Sequence, residues 1–158
     1  MSILIVDDEE ILQDVLTSLL TQEGYSTLSA GTGREALDLL AKEEVELVLL
    51  DLMLPDTSGL EVLKRIRATD PDQVVVVITA FSSIEGAIEA MREGAFHYIP
   101  KPFKNEEVLL TIRKGLDQFR LTSENRSLKE QLRQRYAFDN IIGNSKPMKK
   151  FFEIIQMA

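Results

Sequence analysis

The sequence contains no cysteine and a single histidine. The first absence excludes disulfides, thiolate metal sites and a cysteine nucleophile. The second excludes zinc sites built from several histidines and argues against a histidine-based catalytic triad. No apolar run approaches the ~20 residues of a membrane span, and the opening Met1-Ser2-Ile3-Leu4-Ile5-Val6-Asp7-Asp8 has no basic signal-peptide head. A soluble, cytoplasmic protein without membrane contact is expected. Positive charge is scarce over most of the chain: residues 1–119 carry 10 Lys/Arg against 22 Asp/Glu, a net −12. Residues 120–158 reverse the sign, with 8 against 4 and a net +4. An acidic body with a basic tail indicates two parts and makes the body a poor nucleic-acid binder. The 158 residues suit one domain, typically about 100–150 residues, with an appendage.

What is present is an alternation of short β-rich runs and helical periodicity. Ile3–Val6, Ser26–Ala30, Leu47–Leu50, Val74–Thr79 and Phe96–Ile99 read as strands; the continuous apolar runs among them suit strands buried on both faces. Between them, Ile11, Leu12, Val15, Leu16, Leu19 and Leu20 recur at helical spacing, as do Ala36, Leu37 and Leu40. Leu60, Leu63 and Ile66 mark a third helix, and Ile84, Ala87, Ile88 and Met91 a fourth, closed by Gly94. Five such repeats predict an α/β fold, a doubly wound parallel sheet with helices on both faces. Ligands of such sheets bind beyond the carboxyl ends of the strands.

From Asn105, read as an N-cap, helical signal runs to about Tyr136, with Gly115 as its weak point. Leu121, Asn125, Leu128 and Leu132 follow heptad spacing with a polar seam residue, a pattern that specifies two-stranded coiled coils. Phe138–Ser145 reads as a loop and Lys146–Ala158 as the start of an amphipathic helix with no domain to pack on. The expected division is 1–120, 121–137 as a helical linker, and 138–158 as the truncated start of a further domain.

The chemistry lies at the strand ends. Asp7 and Asp8 follow the first strand, Asp51 the third, Thr79 ends the fourth and Lys101 follows the fifth. The fold brings these ends to one edge. Three neighbouring carboxylates cannot all ionise comfortably without a cation, and oxygen-only donors select a hard ion such as Mg²⁺. A metal-held carboxylate beside a hydroxyl and an ammonium is suited to accept a phosphoryl group. Taken singly, each residue also has an ordinary reading: the Asp pair as turn and cap, Thr79 as a β-branched strand residue, Lys101-Pro102 as a turn.

Taken together, Ile5-Val6-Asp7-Asp8-Glu9, Asp51-Leu52-Met53-Leu54-Pro55-Asp56 with Gly59, Thr79-Ala80, and the run Gly94–Phe103 resemble the receiver domain of two-component response regulators over residues 1 to about 120. The resemblance implies a flavodoxin-like five-stranded order 2-1-3-4-5 and phosphorylation of Asp51 by a sensor histidine kinase. It implies Mg²⁺ bound directly by Asp8, through water by Asp7, by Asp51 and by the backbone carbonyl of Met53. Thr79, the Ala80 backbone N–H and Lys101 would hold the phosphoryl group, Tyr98 would be the aromatic switch residue, and Lys101-Pro102 would be a cis peptide. A homodimer would form through the fourth helix, fifth strand and fifth helix, with Ile112, Leu116, Phe119, Leu121, Asn125, Leu128 and Leu132 as its dimer and linker residues. His97 departs from the family, which often has Asp there, and is expected at the surface.

The tail, Glu124-Asn125-x-x-Leu128 and Ile141-Ile142-Gly143-Asn144-Ser145-x-x-Met148, resembles the linker and opening of the AAA+ domain of NtrC-type, sigma-54-dependent activators. On that likeness a parent protein would contact sigma-54 RNA polymerase and DNA, whereas this chain has no phosphate-loop motif and is regulatory rather than an enzyme. A small aspartyl phosphatase, a receiver joined to another output domain, and a dimerising scaffold that is never phosphorylated remain the alternatives.

Overall fold

The computed structural model describes residues 1–80 and 83–142, the side chains of 136–142 excepted. Strands β1 (Ser2–Val6), β2 (Ser26–Ala30), β3 (Leu47–Leu50), β4 (Val74–Thr79) and β5 (His97–Pro100) alternate with helices α1 (Glu10–Gln22), α2 (Gly33–Lys42), α3 (Gly59–Thr69), α4 (Ile84–Arg92) and α5 (Asn105–Ile142). All strand pairs are parallel, in the order β2-β1-β3-β4-β5. The chain divides into two compact units, Met1–Phe119 and Arg120–Ala158.

Alternation along the central strands sends side chains to two cores, because successive residues of a strand face opposite sides. Leu4, Val6, Val48, Leu50, Val75 and Val77 pack with Ala36 of α2, Val62, Leu63 and Ile66 of α3 and Ala90 of α4. Ile3, Ile5, Leu47, Leu49, Val74 and Val76 pack with Leu16 and Leu20 of α1 and with Val108, Ile112 and Leu116 of α5. The sheet is covered on both faces, which is why its central strands read as unbroken apolar runs.

Three helices, α2, α3 and α4, have side-chain N-caps. Thr32 accepts from the Glu35 N–H, Ser58 from Leu60 and Ser83 from Gly86. Gly115 is no weak point in context: a Cβ there would lie 2.7 Å from Leu47 Cδ1, so its absence lets α5 lie close against the sheet. Several expectations need correction. β5 begins one residue later than predicted, at His97. The α5 backbone starts with Asn105 itself, and the Lys104 carbonyl receives the N–H groups of Glu107 (3.1 Å) and Val108 (3.3 Å). The predicted loop beginning at Phe138 is helical as far as Ile142, no glycine or proline lying between Gly115 and Gly143. The helix predicted over Lys146–Ala158 and the end of that loop lie outside the described residues. Periodicity also located α4 without giving its buried face: Gly86 and Ala90 are buried, whereas Ile84, Ile88 and Met91 are exposed.

Candidate functional site

Because the strands are parallel, β1, β3, β4 and β5 deliver their carboxyl-terminal residues to one rim. The Asp7 N–H donates to Ala30 O (3.0 Å) and the Asp51 N–H to Val6 O (3.0 Å), so each aspartate is anchored to the neighbouring strand where it leaves the sheet. The Lys101 N–H donates to Thr79 O (2.9 Å), fixing the residue after β5 beside the end of β4. The Lys101–Pro102 peptide is cis.

These anchors converge three carboxylates. Asp7, Asp8 and Asp51 each offer an oxygen within 4.8 Å of the others. Asp7 and Asp51 are buried and Asp8 is exposed. Lys101 Nζ donates to Asp7 Oδ2 (2.9 Å) and Asp51 Oδ2 (3.0 Å). The other oxygens of that pair are held by main chain: the Glu9 N–H donates to Asp7 Oδ1 (2.9 Å) and the Met53 N–H to Asp51 Oδ1 (3.0 Å). Burial pushes the Asp7 carboxyl above the usual aspartate range, although Lys101 and the Glu9 N–H pull against it. Burial pulls the Lys101 ammonium down, but its bonds to Asp7 and Asp51 outweigh that and leave its pKa raised. The two partners therefore differ in sense: attraction prevails at the ammonium, desolvation at Asp7. Burial, and then the charge of Asp51, raise the Tyr98 phenol.

The donors fit a hard divalent cation: all are oxygens, two are oriented by the fold, and the third faces solvent. Thr79 is fully buried at the end of β4, and Ala80 follows it at the surface. Tyr98 is half-buried on β5, packed against the core shared by α2, α3 and α4. His97 is exposed, as expected. Met53 is 61% exposed, and its N–H is bonded to Asp51 Oδ1.

The proposed dimer and linker residues divide differently. Ile112 and Leu116, expected at a dimer surface, are core residues (0% and 3% exposed), and half-buried Phe119 packs against the same cluster. This corrects the sequence reading: they hold α5 to its own sheet. Leu121, Asn125 and Leu128 are exposed and Leu132 partly so, the apolar members following at heptad spacing.

The structural roles of three residues at the rim escaped the sequence reading, which named Asp56 and Gly59 only within a motif and Gln13 not at all. Asp56, quoted only as part of a motif, accepts the Gly33 N–H (2.9 Å) and the Arg34 N–H (3.1 Å) at the start of α2. These bonds, the Gly33 one foremost, hold its carboxyl below the usual range. Gly59 lets the start of α3 touch the strand end, since a Cβ there would lie 2.3 Å from Asp51 O. Gln13 donates from Nε2 to the carbonyls of Asp7 and Ala30. An aspartate ahead of a helix, or a glycine following a strand end, is a readable signal; nothing in sequence marks Gln13. Among the described residues, no helix is long and apolar enough to cross a membrane.

Comparison with known proteins gives the same picture. The family model described as "Response regulator receiver domain" matches residues 3–113. Regulatory protein AtoC of Escherichia coli is 35% identical over 146 residues, which is 92% of this chain and 32% of AtoC. NtrX from Brucella abortus, crystallised with ADP, superposes with a TM-score of 0.76 at 33% identity, over 85% of this chain and 33% of that one. The beryllofluoride-activated NtrC4 receiver domain dimer gives a TM-score of 0.72 at 36% identity, over 75% of this chain and 98% of that one. The chain spans from 32% to 51% of the length of the first curated relatives it matches.

Proposed function

Since the chain belongs to the response regulator receiver domain family, we propose that Asp51 is its phosphoacceptor, served by a sensor histidine kinase and assisted by Mg²⁺ held by Asp7, Asp8, Asp51 and the Met53 carbonyl. A carboxylate oxygen of Asp51 attacks the phosphorus of a phosphohistidine; the P–N bond breaks, an acyl phosphate forms, and the imidazole leaves to take up a proton. The cation supplies neutralisation of phosphoryl charge. The observation that carries the reading is the shared ammonium: Lys101 Nζ reaches Asp7 and Asp51 at once, so a cation is already aimed at the atom that would be modified.

Thr79 and the Ala80 N–H, following it at the same rim, are the further donors for the phosphoryl oxygens, and the cis Lys101-Pro102 peptide belongs to the loop that presents the ammonium. Drawing in the Thr79 hydroxyl leaves room beneath the loop after β4, into which Tyr98 moves. That remodels the face made by α4, β5 and the start of α5. The same face carries Ile84, Ile88 and Met91 exposed, which supports a homodimer formed there; the heptad residues Leu121, Asn125, Leu128 and Leu132 of the second unit support pairing by their own spacing. The domains are then a receiver over 1–120, a helical linker over 121–137 and the start of a AAA+ ATPase domain over 138–158, in the cytoplasm. The match to AtoC over 92% of this chain and the fit to NtrX crystallised with ADP support a parent of that kind, a sigma-54-dependent activator acting on RNA polymerase and DNA. The role of this chain is regulatory rather than catalytic.

Incubation with acetyl phosphate and Mg²⁺, followed by intact mass, tests the acceptor. One added phosphoryl mass is expected in the wild type and none in Asp51→Ala; equal gain in both would overturn the assignment. Sedimentation with and without beryllofluoride tests the switch, and an unchanged association state would refute it.

A further inference from the structure

Gln13 lies one turn into α1 and reaches the rim from behind. Its Nε2 donates to the main-chain oxygen of Asp7 and, at 3.2 Å, to that of Ala30. Both neighbours are carbonyl oxygens, which only accept, so the amide nitrogen is the end that faces them. The same Ala30 oxygen receives the Asp7 N–H at 3.0 Å. Gln13 thereby joins the ends of β1 and β2 at the point where both strands leave the sheet.

What that bond controls follows from peptide geometry. The Asp7 oxygen, the Asp8 nitrogen and the Asp8 Cα lie in one rigid plane. Holding the oxygen sets the direction in which Asp8 departs. The other two carboxylates have orienting donors of their own: Lys101 and the Glu9 N–H at Asp7, Lys101 and the Met53 N–H at Asp51. None of these reaches Asp8, the exposed member of the cluster, whose place within 4.8 Å of the others depends on the main chain. We propose that Gln13 is a positioning residue for the divalent-cation site, its carboxamide fixing the Asp7–Asp8 peptide plane and through it the Asp8 carboxylate. The inference rests on the Mg²⁺ reading given above and adds the residue that shapes the site. A purely structural role, tethering α1 to the sheet, is already filled by Leu16 and Leu20, 2% and 0% exposed in the core.

The test is a calorimetric MgCl₂ titration of the whole chain, with the Asp8 amide resonance followed in parallel. Wild type, Asp8→Ala, Gln13→Met, Gln13→Asn and Leu16→Val are compared. Gln13→Met keeps the bulk and loses the donor; its dissociation constant is expected to rise about tenfold, the lower end of what outer-shell partners of metal ligands contribute. The Asp8 amide should shift even without metal. Gln13→Asn keeps a neutral amide one methylene shorter and should fall between wild type and Gln13→Met. Leu16→Val should lower the thermal midpoint and leave the dissociation constant within about twofold, because it touches the core and not the carbonyls. Wild-type affinity in Gln13→Met, or equal weakening in Leu16→Val, overturns the positioning role while the cation site stands. A wild type that binds no Mg²⁺, or an Asp8→Ala variant that binds as the wild type does, overturns the cation reading and the inference with it.

Discussion

Replacing Lys101 by methionine removes the ammonium and keeps most of the apolar stem. The side chain is 14% exposed and its two partners 5% and 7%, so the loss leaves two carboxylates facing each other in a site that water barely reaches. Removing one partner of a buried ion pair costs about 3–5 kcal/mol. The remaining water access at Lys101 reduces the expectation to about 2–3 kcal/mol, or roughly 6–12 °C in thermal midpoint for a unit of this size. The pH dependence follows from the two raised pKa values. Lys101's contribution is full below the ordinary lysine range and is lost only as pH rises through its raised folded value, so neutral pH lies on its plateau. Asp7's contribution is full below the ordinary aspartate range and is lost as pH rises through its raised folded value. Taking away Lys101 removes the attraction that restrains Asp7, which enlarges the penalty at neutral pH and spares acid pH. Urea unfolding of wild type and Lys101→Met, without divalent cations, should therefore show a gap widest near pH 7 that narrows toward pH 4. A gap below about 0.5 kcal/mol at pH 7, within the scatter of surface substitutions, or one that does not change with pH, would refute the reasoning.

Gly59→Ala forces a Cβ to within 2.3 Å of Asp51 O and should cost about 1–3 kcal/mol, whereas Gly31→Ala, with nothing within 4 Å of its Cβ, should unfold within about 0.5 kcal/mol of wild type in the same urea titration. Arg67 donates to Pro71 O (2.8 Å) and Gly94 O (2.7 Å), joining the end of α3 to the turn before β5; Arg67→Met should cost about 1–2 kcal/mol and raise amide exchange around Ala95 and Phe96. Asp56, its carboxyl held low by the N–H groups of α2, stabilises above the ordinary aspartate range and loses that contribution as pH falls through its lowered folded value. Asp56→Asn should accordingly have a lower thermal midpoint than wild type at pH 7 and approach it in acid.

The fold was legible because the sheet is covered on both faces: Leu47–Leu50 and Val74–Ile78 are apolar throughout, the pattern of strands with two buried faces. The rim residues were legible for a related reason, as polar side chains placed immediately after such runs. Faces of surface helices were less so. Ile84, Ile88 and Met91 have helical spacing, yet the sheet packs on Gly86 and Ala90, because close approach selects small residues and leaves the larger ones outside. Ile112 and Leu116 misled in the opposite direction, since an apolar residue before a heptad looks the same whether it meets its own sheet or a second chain. Gln13 carried no signal, its partners being main-chain carbonyls that any residue at positions 7 and 30 would supply.

The rim is also costly to maintain. Desolvation outweighs attraction at Asp7, and well-packed apolar residues in place of a buried ion pair are often neutral or stabilising. A sheet end built for stability alone has no need of three converging carboxylates, only two of which share an ammonium. Fully ionised, the four side chains carry a formal −2, the charge that one divalent cation cancels. On the proposed reading, phosphorylation of Asp51 removes one carboxylate charge and introduces a group of about −1.5 to −2. The cation-loaded rim then goes from near neutral to as much as −1, with the new charge on oxygens where Lys101 now grips Asp51. Such an excess attracts donors at close range, and the Thr79 hydroxyl and Ala80 N–H, at the end of the adjacent strand, are the groups the fold supplies. On that proposal a change of one charge at β3 draws a movement at β4, and Tyr98, which lies across from Val77 in the β4–β5 register, is the residue proposed to follow it.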